Sequence, residues 1–243
     1  ELINTIQTAG LRMIYEYIDK NPKENLPKLG EYMEGLFPKT LPEQPALCYQ
    51  VLKDPDNNWY RLILDIFTNV DSQVRRTVFE NFVINATLRH GEIHDKLTEQ
   101  YDCNIPWAIL MDPTSACNLH CTGCWAAEYG NKMNLTYEEL DGIINQANEL
   151  GCYFFLYTGG EPLVRKEDLI RLCEAHPDSQ FSAFTNATLI DEAFADEMLQ
   201  VKNFIPAISA EGFEESTDSR RGQGTYRKIM QAMKILKEKK LPF

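Results

Sequence analysis

The stretch Cys117-Asn118-Leu119-His120-Cys121-Thr122-Gly123-Cys124 decides how the rest of the sequence is interpreted, and we call it the cysteine loop. Its three thiols have the spacing C-x3-C-x2-C, and they follow the apolar run Trp107–Met111. Cysteines this close together on a loop can all turn toward one point, and thiolates select zinc, copper(I) or iron–sulfur clusters. Three ligands complete neither a closed structural zinc site nor a four-cysteine cluster. The pattern therefore predicts a metal site with one position left open.

The composition is typical of a globular protein. The chain has 243 residues, 44% of them hydrophobic and 25% charged, which is enough for one large domain or two smaller ones. The formal net charge of -12 disfavours a nucleic-acid partner. No stretch approaches the roughly 18 apolar residues of a membrane span, and no signal-peptide pattern opens the sequence. Seven cysteines, an odd number with three of them clustered, suit a metal site in a reducing cytoplasm better than a disulfide framework. We therefore predict a cytoplasmic protein without a transmembrane segment.

Both ends of the sequence suggest that it is part of a longer protein. The chain begins at Glu1 without a methionine and stops at Phe243, just where a new apolar segment starts at Leu241. We expect that a larger protein has lost some of its C-terminal sequence.

Residues 1–104 are predicted to form a small helical domain. Apolar residues recur at helical spacing from Leu2 to Ile18, and Asn21-Pro22 marks the end of that helix. A proline-rich connection is expected through Pro38, Pro42 and Pro45. Further helices are predicted over Pro45–Leu52, Trp59–Val70 and Asp71–Leu88, with Asp71 or Ser72 as the N-cap of the last.

This helical part shows no pattern that predicts chemistry. His90 and His94 have i, i+4 spacing, but no carboxylate is placed as in a zinc-protease motif, and Gly91 lies between them. We therefore expect solvated histidines. The lone thiols of Cys48 and Cys103 are expected to be small buried hydrophobic groups.

From residue 105 the sequence alternates between strand and helix. Four strands are predicted at Trp107–Asp112, Cys152–Thr158, Phe181–Thr185 and Phe204–Ala210. Helices are predicted between and after them at Thr136–Leu150, Lys166–His176, Asp191–Val201 and Thr225–Lys239, with N-caps at Thr136 and Asp191 and a terminating glycine at Gly151. Serial βα units imply parallel strands with right-handed crossovers, hence an α/β sheet or a partial (β/α) barrel.

Polar groups follow each predicted strand, and in such folds the carboxyl ends of the strands form the site. The cysteine loop follows the first strand and Gly159-Gly160-Glu161-Pro162 the second. Thr185-Asn186 ends the third strand, and Ser209-Ala210-Glu211-Gly212 ends the fourth, followed by Arg220-Arg221-Gly222. Two adjacent glycines allow a close backbone approach to a ligand, with their amides aimed outward. Thiolates, a carboxylate, hydroxyls and a guanidinium are thus expected on one rim.

This ordered set of motifs resembles the radical S-adenosylmethionine (radical SAM) superfamily, in the branch of SPASM-domain and cofactor- or peptide-modifying enzymes. The resemblance covers residues 105–243 and implies a radical SAM core in the form of a partial barrel. It implies reductive cleavage of S-adenosylmethionine at a [4Fe–4S] cluster to a 5′-deoxyadenosyl radical, which abstracts a hydrogen atom from a substrate. A peptide, a lipid or a small molecule could be that substrate, and the electron would come from a donor such as flavodoxin or ferredoxin.

The resemblance also implies roles for individual residues. Cys117, Cys121 and Cys124 would ligate three irons, and the cofactor's amino and carboxylate groups would chelate the fourth. The cofactor-binding residues would be Gly159, Gly160 and Glu161 at the amino group, Asn186 and Ser209 near the ribose with Glu211 nearby, and Arg221 or else Arg220 at the carboxylate. The sequence departs from the family pattern at Gly123, Ala187 and Glu211, where an aromatic residue, a glycine and an aspartate are usual.

Other interpretations remain open at this point. The three cysteines could bind structural zinc, with His120 or a distant residue as the fourth ligand. Gly159-Gly160 could be only a tight turn, and Arg220-Arg221 could be a solvated pair. The alternative function is a non-catalytic zinc or iron–sulfur protein whose helical domain mediates interactions. Cys152 begins a strand and is expected on the opposite face from the site, where residues serve stability, and Cys173 is expected in the core. Tyr157 ends the second strand and is expected either to pack or to face the substrate.

Overall fold

The computed structural model describes residues 2–36, 49–128, 130 and 132–243. The chain folds as two compact units, Glu1–Arg75 and Arg76–Phe243. The predicted boundary between residues 104 and 105 marks a change of sequence pattern and stays a prediction. The proline-rich connection through Pro38, Pro42 and Pro45, the start of the helix predicted from Pro45, and Cys48 lie outside the described residues.

The first unit is built from helices α1 (Leu2–Lys20), α2 (Pro22–Leu36) and α3 (Asn58–Asn69), with a further helical turn at residues 49–53. The predicted stop is confirmed, because α1 ends at Lys20, and Pro22 then occupies the first position of α2, where its missing N–H costs nothing. The core of this unit consists of Ile18, Leu26 and Tyr60 with Leu29, Leu52, Ile63, Leu64 and Phe67 packed against them.

A second helical run covers residues 72–101 in three sections. They are α4 (Ser72–Val78), a π-helical section (Phe79–Arg89) and α5 (His90–Tyr101). The N-cap prediction is confirmed, because the Asp71 carboxylate accepts from the amides of Gln73 and Val74 at 2.9 and 3.1 Å. The run extends beyond the predicted end at Leu88. A periodicity of 3.6 residues does not reveal a wider i→i+5 section.

The predictions for His90 and Cys103 are wrong. His90 is buried, with 6% of its surface exposed, because its Nδ1 lies 3.1 Å from the carbonyl oxygen of Gly151. His94 stays partly exposed, in keeping with the prediction of a solvated histidine, and its two ring nitrogens contact Asp95 and Asn104. Cys103 is exposed, because it follows the end of α5 on a loop. Gly91 does not interrupt the helix.

Four parallel strands form the sheet of the second unit, in the order β1 (Ala108–Met111), β2 (Phe154–Tyr157), β3 (Gln180–Thr185) and β4 (Phe204–Ile208). The register pairs Met111 with Tyr157, and Tyr157 with Ala183. The predicted α/β class and all four strands are confirmed, within two residues at each end.

Helices follow the strands as the βα pattern requires. They are α6 (Tyr137–Glu149), α7 (Lys166–Ala175), α8 (Glu192–Val201), α9 (Glu214–Arg221) and α10 (Thr225–Glu238), with short 3₁₀ turns at Trp125–Glu128 and Pro162–Arg165. The predicted capping box at the start of α6 is present, because Thr136 and Glu139 bond each other's amides at 2.7 and 3.1 Å. Helix α9 was not predicted. None of the described helices combines the length and apolar composition that crossing a membrane requires.

The core of the second unit lies on one face of the sheet. Phe155, Tyr157 and Phe181 alternate with partly exposed residues and are fully buried. Their rings stack, with centroids 5.4 Å apart for Phe155 and Phe181 and 5.9 Å for Tyr157 and Phe181. Burying each such ring contributes about 1.5–3 kcal/mol. Tyr157 therefore packs in the core. Cys173 is buried as predicted, and Cys152 is buried as well.

Candidate metal and cofactor site

The cysteine loop lies beyond the carboxyl end of β1. Cys117, Cys121 and Cys124 are all partly buried. The second half of the loop is a tight turn in which the amide of Cys124 donates to the carbonyl of Cys121 at 3.2 Å. Gly123, with φ of 71°, sits in that turn, in a conformation that costs glycine nothing. A glycine at this position therefore has a local backbone reason.

The surroundings of the thiols disfavour their charged form. Partial burial raises the pKa of Cys117, while the amide of Leu119, 3.5 Å from its Sγ, opposes that rise. Burial also raises the pKa of Cys121, and the nearby guanidinium of Arg221 counteracts it. A metal that binds these sulfurs displaces their protons, so metal binding and thiol ionisation are coupled.

A single metal ion and an iron–sulfur cluster place different demands on the spacing of their ligands. Among residues 2–36, 49–128, 130 and 132–243, no three His, Cys, Asp or Glu side chains gather closely enough to hold a single ion. A zinc ion with bonds of about 2.3 Å needs its sulfurs within about 4 Å of each other. A cluster of several irons binds each cysteine through a different iron, so it accepts more widely spaced sulfurs. Three cysteine thiols on one loop are a donor set whose chemistry fits an iron–sulfur cluster.

Gly159 and Gly160 pack against the backbone that leads into the cysteine loop. A Cβ on Gly160 would lie 2.2 Å from the carbonyl oxygen of Ala116, and one on Gly159 would lie 2.7 Å from that of Thr114. The amides of Gly160 and Glu161 donate to these same carbonyls of Thr114 and Ala116 at 3.0 and 2.8 Å. The Gly160 amide thus bonds inward, toward the loop, rather than outward as expected. The two glycines are more than a turn, because they support the base of the cysteine loop.

Glu161 joins the ends of β2 and β3. Its carboxylate, in a residue that is 1% exposed, accepts from the Leu163 amide at 3.0 Å, the Thr185 hydroxyl at 2.6 Å and the Asn186 amide at 2.7 Å. Burial raises the pKa of Glu161, and these three hydrogen bonds oppose the rise. The buried Glu161 carboxylate is therefore hydrogen-bonded, and it joins the residues that follow β2 to those that follow β3.

A closed ring of hydrogen bonds connects the cysteine loop to the end of β3. The Asn186 Nδ2 donates to Asn118 Oδ1 at 2.8 Å, and Asn118 Nδ2 donates to Thr188 Oγ1 at 2.8 Å. Thr188 Oγ1 in turn donates to Asn186 Oδ1 at 2.7 Å. We call this arrangement the Asn118–Asn186–Thr188 ring. Between its members, Ala187 has φ of 60°, a conformation that favours the glycine usual at this position.

Helix α9 contacts the second half of the cysteine loop through its last residues. The amide of Thr122 donates to the carbonyl of Arg220 at 2.7 Å. Arg221 donates from Nε and Nη2 to Glu211 Oε1 at 3.0 and 2.7 Å, and Arg220 reaches the same oxygen at 2.7 Å. The guanidinium of Arg221, and then that of Arg220, holds the pKa of Glu211 below its usual range. Arg221 is therefore part of an ion pair and is not solvated.

The predicted site residues thus converge on the cysteine loop to different degrees. Gly160 and Asn186 bond it or its base directly, while Ser209 is one step removed, because its amide donates to the Thr185 carbonyl at 2.9 Å. Glu211 and Arg221 pair with each other. Sequence reasoning missed the residues whose hydrogen bonds tie the loop to its neighbours, namely Asn118, Thr122 and Thr188. Their position inside or beside the quoted motifs was the only signal that could have identified them.

A cavity of about 600 Å³ opens beside these groups, within the range of small-molecule sites. Gly159 and Gly160 form part of its wall, and Asp112 and Ser115 come from the segment between β1 and the loop. Trp125, directly after Cys124, lines it as well and is 60% exposed. The remaining lining residues are Ala126, Lys132, Met133, Asn134 and Leu135. The rim therefore has room for a ligand at the glycines.

Comparison with known proteins gives one family model and several relatives that match this chain. The model of the Radical SAM superfamily matches residues 111–243. An uncharacterised protein of Archaeoglobus fulgidus is 34% identical over 193 residues, which are 75% of this chain and 44% of that protein. The Fe-coproporphyrin III synthase of Methanosarcina barkeri is 31% identical over 144 residues, 56% of this chain and 35% of the synthase.

Solved structures match over a similar share of the chain. A structure of native anSMEcpe with bound AdoMet and a Kp18Cys peptide aligns with a TM-score of 0.49 and 26% identity, covering 56% of this chain and 41% of that one. The chain spans less than half the length of each of these three proteins.

Proposed function

Because its family model matches residues 111–243, the chain belongs to the radical SAM superfamily, and we propose that it binds a [4Fe–4S] cluster and S-adenosylmethionine as an enzyme of that kind. The resemblance recognised from the motifs is confirmed by that match and by the relative named Fe-coproporphyrin III synthase. When bound, the reduced cluster and S-adenosylmethionine supply one-electron cleavage of the sulfonium to methionine and a 5′-deoxyadenosyl radical, which abstracts a hydrogen atom from a substrate.

The observation that carries the proposal is the arrangement of the cysteine loop. Three partly buried thiols lie on one loop beyond the carboxyl end of β1. Cys117, Cys121 and Cys124 would each hold one iron. A cluster with three protein ligands leaves one iron open, which suits a cofactor that binds metal through its own amino and carboxylate groups.

The rim offers acceptors for the ammonium of such a cofactor. An ammonium only donates hydrogen bonds, so it needs carbonyl or carboxylate oxygens. The amide of Gly160 is already committed to Thr114, so Gly159 and Gly160 would contribute their carbonyl oxygens. Glu161 has about four acceptor positions, of which its three hydrogen bonds take three, so about one remains for an ammonium.

The carboxylate and ribose of the cofactor would face the next two strand ends. Arg221 uses Nε and Nη2 for Glu211, and an arginine has five donors, so its remaining N–H groups can bind a carboxylate. Glu211 would orient that guanidinium. Asn186 donates one of its two amide hydrogens to Asn118, which leaves one for a ribose oxygen, and Ser209 offers its hydroxyl at the end of β4.

Product analysis with matched variants tests the proposal. The chain would be reconstituted anaerobically with iron and sulfide, reduced with dithionite and incubated with S-adenosylmethionine, and 5′-deoxyadenosine would be quantified. We expect the product from the native chain and at least a hundredfold less from Cys117→Ala, Cys121→Ala or Cys124→Ala. Cys152→Ala is the matched control, because Cys152 is a buried thiol outside the loop. Stoichiometric zinc without iron, and no product, would instead support the non-catalytic zinc protein.

A further inference from the structure

Asn118 occupies a position that links the cysteine loop to a rigid part of the fold. It follows Cys117 directly in the chain, and both polar atoms of its side chain belong to the Asn118–Asn186–Thr188 ring. The three bonds of the ring measure 2.8, 2.8 and 2.7 Å, and each hydroxyl or amide donates to the next member. Hydrogen bonds connected in this way strengthen one another.

The β3 side of the ring is the fixed side. Asn186 is 6% exposed, and its backbone amide donates to the buried carboxylate of Glu161 at 2.7 Å. A further bond, from the Thr188 amide to Asn186 Oδ1 at 2.9 Å, closes the turn that follows β3. Asn118 is exposed and lies on a loop. The ring therefore holds Asn118 in place on the end of the sheet.

The peptide group that follows Asn118 contacts a thiol. The amide of Leu119, which belongs to the Asn118–Leu119 peptide, donates to Cys117 Sγ at 3.5 Å. Hydrogen bonds to the sulfurs are one of the factors that set the reduction potential of an iron–sulfur cluster. An N–H donor stabilises the extra negative charge of the reduced state, so the bond raises the potential. The direction of this amide depends on the backbone ψ angle of Asn118, and an anchored Asn118 side chain restricts rotation about that bond.

We propose that Asn118 is a positioning residue which, through the Asn118–Asn186–Thr188 ring, keeps the Leu119 amide on the Cys117 sulfur and makes the bound cluster easier to reduce by one electron. The inference rests on the proposed function, since it concerns the cluster that Cys117 would ligate. It goes beyond that function, because it assigns a role in redox tuning to a side chain that ligates nothing itself.

A pair of substitutions at Thr188 separates an effect on the reduction potential of the cluster from an effect on folding. Thr188→Val has nearly the same shape but removes the hydroxyl, and with it two of the three ring bonds. Thr188→Ser keeps the hydroxyl and is the matched control. Asn118→Ala removes the ring from the other side. Each protein would be reconstituted anaerobically, its iron and sulfide measured, and its midpoint potential determined by dithionite titration followed by electron paramagnetic resonance.

We expect Thr188→Val and Asn118→Ala to show a more negative midpoint potential and altered g-values at the native iron content, while Thr188→Ser matches the native chain. Native potentials in both variants, or an equal shift in Thr188→Ser, would overturn the inference. A Thr188→Val chain that assembles no cluster would also overturn it, because the ring would then serve folding rather than tuning. Absence of a cluster from the native chain would refute the proposed function itself, and the inference with it.

Discussion

At the scale of single residues, Gly160 shows how strictly the rim is packed. A Cβ there would meet the Ala116 carbonyl oxygen at 2.2 Å and its carbon at 2.6 Å, closer than real Cβ contacts occur. The obstacle is backbone, which cannot rotate away as a side chain could. The hydrogen bond from the Gly160 amide to Thr114 fixes the two segments against each other. Glycine is needed here for close approach, whatever ligand the rim binds.

We predict that Gly160→Ala destabilises the chain by about 1–3 kcal/mol, because the added methyl group overpacks the base of the cysteine loop. Denaturant unfolding measures the change. Gly142→Ala is the control, since Gly142 lies inside α6 with no atom near the position of a Cβ. It should stabilise the helix by about 0.5–1 kcal/mol. Equal effects of the two substitutions would show that the close contact at Ala116 is unimportant.

At the scale of elements, the start of α8 combines a cap with an ion pair. The Asp191 carboxylate accepts from the Phe194 amide at 2.8 Å and lies 2.9 Å from Lys166 Nζ. The Lys166 hydrogen bond first, and the cap bond second, hold the pKa of Asp191 below its ordinary value of 3.8. A carboxylate with a lowered folded-state pKa stabilises the fold above its ordinary pKa, and that contribution is lost as the pH falls through the folded value.

Substitution of Asp191 should separate these two contributions. Asp191→Ala removes the cap and should cost about 1 kcal/mol at neutral pH. Asp191→Asn keeps a cap acceptor, so it should cost less at neutral pH. The variant lacks the carboxylate, so its stability should fall less steeply than that of the native chain below about pH 4. Urea unfolding between pH 2.5 and 7 measures both. If Asp191→Asn and the native chain lose stability in parallel below about pH 4, the ion pair with Lys166 contributes nothing.

Strands and helices with a regular apolar pattern were predicted from the sequence, and the helix without such a pattern was not. The strands and their helices carry buried residues at regular spacing, such as Phe155 and Tyr157 on β2, and they were predicted to within two residues. Helix α9 has the sequence Glu-Glu-Ser-Thr-Asp-Ser-Arg-Arg, and Thr217 is its buried residue, so it has no apolar face to detect. The bond between His90 and the Gly151 carbonyl joins residues that are 61 positions apart in sequence, and no local pattern predicts such a contact.

At the scale of the whole molecule, the sequence predicted which strand ends form the rim but not how they hold each other. Parallel strands all end at the same edge of the sheet, so the order of the motifs along the chain was enough to predict that they lie together. The partners of Asn118 and Arg220 could not be predicted, because a hydrogen bond between loops depends on the final backbone geometry. Three segments, after β2, after β3 and at the end of α9, bond the cysteine loop or its base.

The central claim is that this loop holds a cluster with one iron left open for S-adenosylmethionine. Mössbauer spectra of the chain reconstituted with ⁵⁷Fe, recorded with and without S-adenosylmethionine, test it most directly. We predict about four irons per chain in one cluster, and a change in the isomer shift of a single iron when S-adenosylmethionine is added. Spectra that do not change on addition, or a chain that binds zinc and no cluster, would contradict the account.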